Sequence, residues 1–258
     1  MFFLFFDHLG IGLLVCLLLV PSAKLGRRFL AFNLGLALVF LVLAAAARSH
    51  AAAGIGTPLA TCIGLAAAAL ATLGLRTRAV PLGLTAAAAV AGAWGIVHEA
   101  RHLASAPQAH ASAALLGAHF ATSALLAGAV TLDMILGHFY LVIPNLSFGP
   151  LRRLTLAFAV ALVLRLVVTG WTLVASWDAW RTAWTGDATR FFLQYGFFLT
   201  LRVGFGIVGP LVLVWLVWQC VRIRANQSAT GILYVATAIV LIGEIAAKYF
   251  LTTEALLL

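Results

Sequence analysis

Charge is what this chain has least of. Of its 258 residues only 9% are charged while 64% are hydrophobic, and the mean hydropathy is +1.11. Soluble domains run at about a quarter charged residues, so a water-facing globule is excluded and lipid is the solvent. Cysteine is nearly as scarce. Cys16, Cys62 and Cys220 stand singly in apolar segments, without a CxxC or CxxCH, which excludes a disulfide framework, a zinc ribbon and covalently attached c-type haem. Also lacking is any clustering of positive charge. The net charge of +9 comes from basic residues dispersed through short connections, so it reports membrane topology and no nucleic-acid surface.

What the chain does have is a succession of apolar runs of about twenty residues, the length a helix needs to cross the hydrocarbon core. They fall near 3–20, 29–47, 58–75, 80–97, 112–141, 154–175, 192–221 and 229–251, each bounded by arginine, proline or polar residues. The expected fold is an all-α integral membrane protein, a bundle of about eight transmembrane helices in one transmembrane domain, 1–258. The stretch 2–20 has no positive charge before it, and Lys24, Arg27 and Arg28 follow it, so it reads as a membrane helix and not as a cleaved signal peptide. The connections after odd-numbered runs hold nine basic residues, among them Arg78, Arg152, Arg153, Arg222 and Arg224; the others hold four, Arg48, Arg101, Arg181 and Arg190. By the positive-inside rule both termini are expected on the outer, extracytoplasmic side, with the cytoplasmic (inner) membrane as the location. Trp177, Trp180 and Trp184 recur at helical spacing between the sixth and seventh runs, which predicts a short helix in the outer interface, an aromatic belt rather than a ligand box.

The two halves differ in kind. Beyond Asp7 and His8, residues 1–97 are Ala- and Gly-rich and almost free of ionisable groups inside the runs, whereas 111–258 carries His119, Asp133, His138, Arg165, Arg202, Glu244 and Lys248. Chemistry is therefore expected in the second half. A charge at the membrane centre costs at least about 2.5–3.5 kcal/mol, so each of these groups needs a partner or a cavity. Counted inward from the outer surface, His119, Arg165, Arg202 and Glu244 fall at similar depths and are expected to form one layer. Two readings of Glu244 stand: a local i,i+4 pair with Lys248 snorkelling outward, or a pair with Arg165 or Arg202 across helices. Gly204, Gly206 and Gly209 spell G-x-G-x-x-G, but inside a membrane run, which dismisses a dinucleotide loop. With Pro210 following, the helix is expected to kink or loosen beside Arg202, either for packing or to line a pocket.

Asp133 lies fourteen residues after His119, about 21 Å along a helix, but aspartate is no haem-iron ligand and the four-histidine pattern of a two-haem cytochrome b is absent. Haem b remains open through His119, with His98 and His102 as further metal or haem candidates. His138, between Gly137 and Phe139, is a proton-exchange candidate that Asp133 orients or an interfacial histidine touching water. His98 and His102, at i,i+4, have a spacing that places two imidazoles on one metal, or are ordinary exposed histidines. Tyr195 adds a hydroxyl near the outer layer.

Three functions accommodate these residues. The first is a membrane subunit of a multi-subunit respiratory or redox complex, handling quinone or lying beside haem, with electron-carrying subunits on the extracytoplasmic side. Quinone headgroups need His or carboxylate to exchange protons and Arg or Tyr to hold carbonyls, and His119, Glu244, Arg202 and Tyr195 supply those types. In length and number of runs the chain resembles the membrane subunits of polysulfide and dimethyl-sulfoxide reductases, an architectural likeness that carries no site residue over. The second is a non-catalytic scaffold whose buried charges lock helices together. The third is a proton-coupled secondary transporter with a discontinuous helix at Gly209–Pro210, against which stands the lack of a matching break in the first half.

Overall fold

The structure is a computed structural model, and it describes residues 1–20, 22–50, 54–75, 77–106, 111–143, 148–185, 188–254 and 257. Every regular element among these residues is helical. In chain order they are α1 (Phe2–Leu18), α2 (Ser22–His50, broken at Gly26, φ 78°), α3 (Thr57–Ala71), α4 (Ala79–Ala104), α5 (Ala113–Val142), α6 (Gly149–Ala175), the short α7 (Trp177–Thr185), α8 (Ala188–Thr200), a π-helical stretch Leu201–Val208, α9 (Gly209–Arg222) and α10 (Asn226–Glu254). Among the described residues seven helices are long and apolar enough to cross a membrane: Leu25–His50, Thr57–Gly74, Ala79–Ala104, Ala113–Val142, Gly149–Ala175, Tyr195–Arg222 and Asn226–Thr253. The seventh run of the sequence is thus one span made of α8, the π-helical stretch and α9. The N-terminal run is helical too, but α1 has 17 residues, about 25 Å, and falls short of those seven.

Burial sorts the helices. The most apolar window of α5 is 67% buried, and that of Tyr195–Arg222 only 17%. α5 is the hub: α1, α4, α6 and α10 all pack on it. α1 lies between α2, α4 and α5 and touches α10, with Leu9, Leu13, Leu14 and Cys16 inaccessible. An apolar helix has no hydrophobic gain from pairing in lipid, so association rests on close packing, which small residues permit. Two crossings show this. A Cβ on Gly12 would collide with the Ala124 carbonyl and one on Gly128 with the backbone of Gly12, so α1 and α5 meet backbone to backbone. At the second, a Cβ on Gly243 would collide with the backbone of Gly206, bringing the π-helical stretch onto α10.

The helix does not simply kink at Pro210. It widens over Leu201–Val208 and resumes α geometry at Gly209, with Pro210 in the first turn of α9. Such π-bulges insert residues into a helix and shift which face each side chain occupies. Between Trp177 and Thr185 the expected short helix is present, with Trp177 exposed and the Trp180 indole donating to the Leu257 carbonyl at 3.3 Å; the Trp184 side chain lies outside the described residues, as do His110 and Asp187.

Candidate functional site

Where α1, α5, α6, the π-helical stretch and α10 converge, one carboxylate gathers an unusual number of donors. Glu244, near the middle of α10, is 1% exposed. Its Oε1 accepts from Arg165 Nε at 3.0 Å and from Arg202 Nη1 at 3.2 Å. Its Oε2 accepts from the Ser123 hydroxyl at 2.5 Å, from Arg165 Nη2 at 3.2 Å and from Lys248 Nζ at 3.3 Å. Arg165 thus grips the carboxylate with two nitrogens, the fork geometry that makes arginine the strongest carboxylate partner. The remaining donors are placed as well: Arg165 Nη1 donates to the His119 carbonyl at 3.0 Å, Arg202 Nη2 to Thr169 Oγ1 at 3.3 Å, and Lys248 Nζ to Ser123 Oγ at 2.6 Å.

Local sequence explains the arrangement. Arg202 sits in the widened turn, and a Cβ on Gly206 would come within 2.7 Å of its Nη1, so a bare Gly206 is what lets the guanidinium lie along its own helix toward α10. Ser123 follows His119 by one helical turn, which brings both to the same face of α5. His8 completes the layer from α1, its Nδ1 lying 3.4 Å from Ser123 Oγ and its ring 4.9 Å from that of Phe120. His8 Nε2 and His119 Nδ1 are both buried without a hydrogen-bond partner. An unpaired buried polar atom is costly, so these two are the outstanding polar valences of the layer.

The charges do not balance. Three cations, Arg165, Arg202 and Lys248, face one carboxylate, a formal excess of two positive charges among groups no more than 4% exposed. Such a layer stabilises negative charge that develops or arrives within it.

The chain matches no family model, no curated protein and no solved structure. Its site is accordingly built from its own geometry alone.

Of the residues expected in the outer layer, the structure brings together His119, Arg165, Arg202 and Glu244. Both pairings of Glu244 are made at once, but Lys248 is corrected: it does not snorkel outward and is buried at 4%, held by Glu244 and Ser123. The layer is not confined to the second half, because His8 of α1 joins it. Tyr195 is set apart, in an aromatic cluster with Phe191 and Phe250, about 9 Å further along α10 than Glu244. His8 and Ser123 were missed. His8 stood too near the N-terminus to be distinguished from an interfacial residue, and Ser123 passed for one more small packing residue; its one-turn spacing from His119 was the available signal.

Asp133 is fully buried, accepting from Thr155 Oγ1 at 2.9 Å through Oδ2 while Oδ1 has no partner. It does not orient His138. Five residues of α-helix turn the two about 140° apart, and the exposed His138 instead places Nδ1 2.8 Å from the hydroxyl of Tyr234 on α10. At the other end, Arg48 does not lie in a loop: it closes α2 and donates to Glu99 of α4 at 2.9 Å. Beside that pair, Asp7, His98 and Glu99 line a cavity of about 20 Å³, room for about one water. His98 and His102 are exposed near the end of α4, and among the described residues no group of three or more His, Cys, Asp or Glu converges on a metal position.

Proposed function

We propose that the chain is the quinone-handling membrane subunit of a multi-subunit redox complex in the cytoplasmic membrane. In this reading α1 makes an eighth crossing, the helix ends near Glu244 face outward, and subunits on the extracytoplasmic side exchange electrons with the bound quinone. The observation that carries it is the layer of one acid and three bases with two partnerless imidazole nitrogens. Converting a quinone to a quinol takes two electrons and two protons, and its carbonyl oxygens gain negative charge on the way. An excess of buried positive charge favours that change, and His8 Nε2 and His119 Nδ1 are placed to exchange the protons. In this reading a lipid-soluble ligand approaches from the side of the span carrying Arg202, the least buried of the seven.

The test is purification of the tagged protein from its native membrane in mild detergent, followed by identification of co-purifying chains, quinone extraction and a visible spectrum. Redox partner chains and stoichiometric quinone are expected, with the quinone reduced severalfold in His119→Ala while the assembly persists. A colourless, quinone-free chain purifying alone would sink the proposal.

A second reading has its own observation. Helices α5, α6, α10 and the π-helical stretch all bond to the single Glu244 carboxylate, which is what a scaffold needs to fix helix register. Under that reading Glu244→Gln dissolves the assembly, and His119→Ala leaves both assembly and bound quinone unaltered.

A further inference from the structure

At the end of the bundle opposite the Glu244 layer, where α6 begins and α9 stops, lies a cavity of about 440 Å³. That volume is in the range that accepts a small organic group rather than a bare ion. Its walls include Arg152, Arg222 and Arg224 with Phe148 and Trp218, and none of its lining residues is acidic. Among the described residues no carboxylate pairs with any of the three arginines. Instead the guanidinium of Arg152 lies over the Trp218 ring at 5.5 Å and that of Arg224 over Phe148 at 5.9 Å. Stacking leaves the in-plane N–H donors of an arginine free, and those donors match the oxygens of a phosphate two at a time. Arg224 takes a left-handed backbone conformation, φ 58°, which residues other than glycine rarely adopt.

The surface leading away from the cavity says which phosphate. On α6, Leu156 and Val160 follow Arg152 at successive i+4 steps and are 53% and 50% exposed. On α9, Trp215 and Leu211 precede Trp218 at helical spacing and are also exposed. Apolar stripes thus run from the arginine cavity along both helices in the direction of the membrane core. A free phosphate ion has no use for them, whereas a phospholipid places its head among arginines and its chains along such stripes. We infer that this cavity binds the phosphate head group of an anionic phospholipid, with Arg152, Arg222 and Arg224 as its ligands. The inference is independent of the quinone reading, since it concerns the opposite end of the bundle.

The experiment uses the full chain, purified in uncharged detergent, stripped of lipid and titrated with phosphatidylglycerol, phosphatidylcholine or inorganic phosphate, bound lipid being counted by native mass spectrometry and Tm followed in parallel. One saturable phosphatidylglycerol is expected, raising Tm more than phosphatidylcholine does. Its apparent affinity is expected to fall about tenfold or more in the double variant Arg152→Gln, Arg224→Gln and to stay unchanged in Arg153→Gln, which lies at the same end but does not line the cavity. Arg222→Gln, at an exposed position in the last turn of α9, provides the same comparison should the double variant not fold. Equal retention of phosphatidylglycerol by wild type and the folded variants overturns the inference. So does inorganic phosphate that raises Tm as much as the lipid and displaces it, for the cavity then takes free phosphate.

Discussion

Glu244 and Asp133 are both carboxylates in the interior of the same bundle, about 15 Å apart in depth as measured from Ser123 to Asp133 along α5, and they are treated in opposite ways. Glu244 receives five donor bonds from four side chains drawn from four helical elements. Asp133 receives one, from a threonine, and one of its oxygens is left alone. The first is a junction, in which removing the carboxylate strands three cations, two of them carried by other helical elements. The second is a local pair whose loss concerns α5 and α6 only. An acidic residue in a membrane helix is therefore not one kind of object; what it does depends on how many cations the surrounding helices bring to its depth.

The comparison breaks most readily at the junction. Glu244→Gln leaves three buried cations around a neutral amide, and about 3–5 kcal/mol of stability is expected to go with it. In a detergent thermal-unfolding assay this variant should show the largest fall in Tm, and a second change, Lys248→Met, should restore part of it by removing a stranded charge. A lone Glu244→Gln with wild-type Tm would show that the junction holds nothing together. Gly128→Ala is next. Its methyl group meets the backbone of Gly12, and overpacking of this sort costs about 1–3 kcal/mol, read in the same assay together with loosened α1 measured by proteolysis or hydrogen exchange.

Asp133→Asn sharpens the contrast from the other side. The amide keeps an acceptor for Thr155, so a change within about 1 kcal/mol is expected; a loss as large as that of Glu244→Gln would mean that Asp133 also anchors charge. Smallest of all is Tyr234→Phe, which deletes a bond to His138 between two exposed side chains and should cost about 0.5–1 kcal/mol.

Hydropathy made most of the architecture legible, because the bilayer imposes a length and an apolarity on every crossing. Depth made much of the site legible too: counting residues inward placed His119, Arg165, Arg202 and Glu244 in one layer. What depth cannot supply is the azimuth of a helix and its choice of neighbours. Nothing in the apolar run holding Asp7 and His8 says that it packs on α5, since that contact depends on Gly12 meeting Gly128, 116 residues later, by shape alone. The outward snorkelling expected of Lys248 failed for a related reason, because the pull of Ser123 and Glu244 arises from a fold that only the assembled helices create. The Gly-Pro run announced a kink or loosening beside Arg202, but not that it takes π-helical form over Leu201–Val208 or that Gly206 meets Gly243 there backbone to backbone.

The crossing of α1 on α5 also has a history in time. His8 and its partner Ser123 are 115 residues apart, and at about 5–20 residues per second of synthesis the first helix waits roughly 6–23 s before the surface it fits has been made. Throughout that interval Asp7 and His8 lack the groups that later surround them. Until α5 is made, the buried imidazole of His8 has no Ser123 to pair with, so the polar contacts of α1 are completed by a helix synthesised long after it.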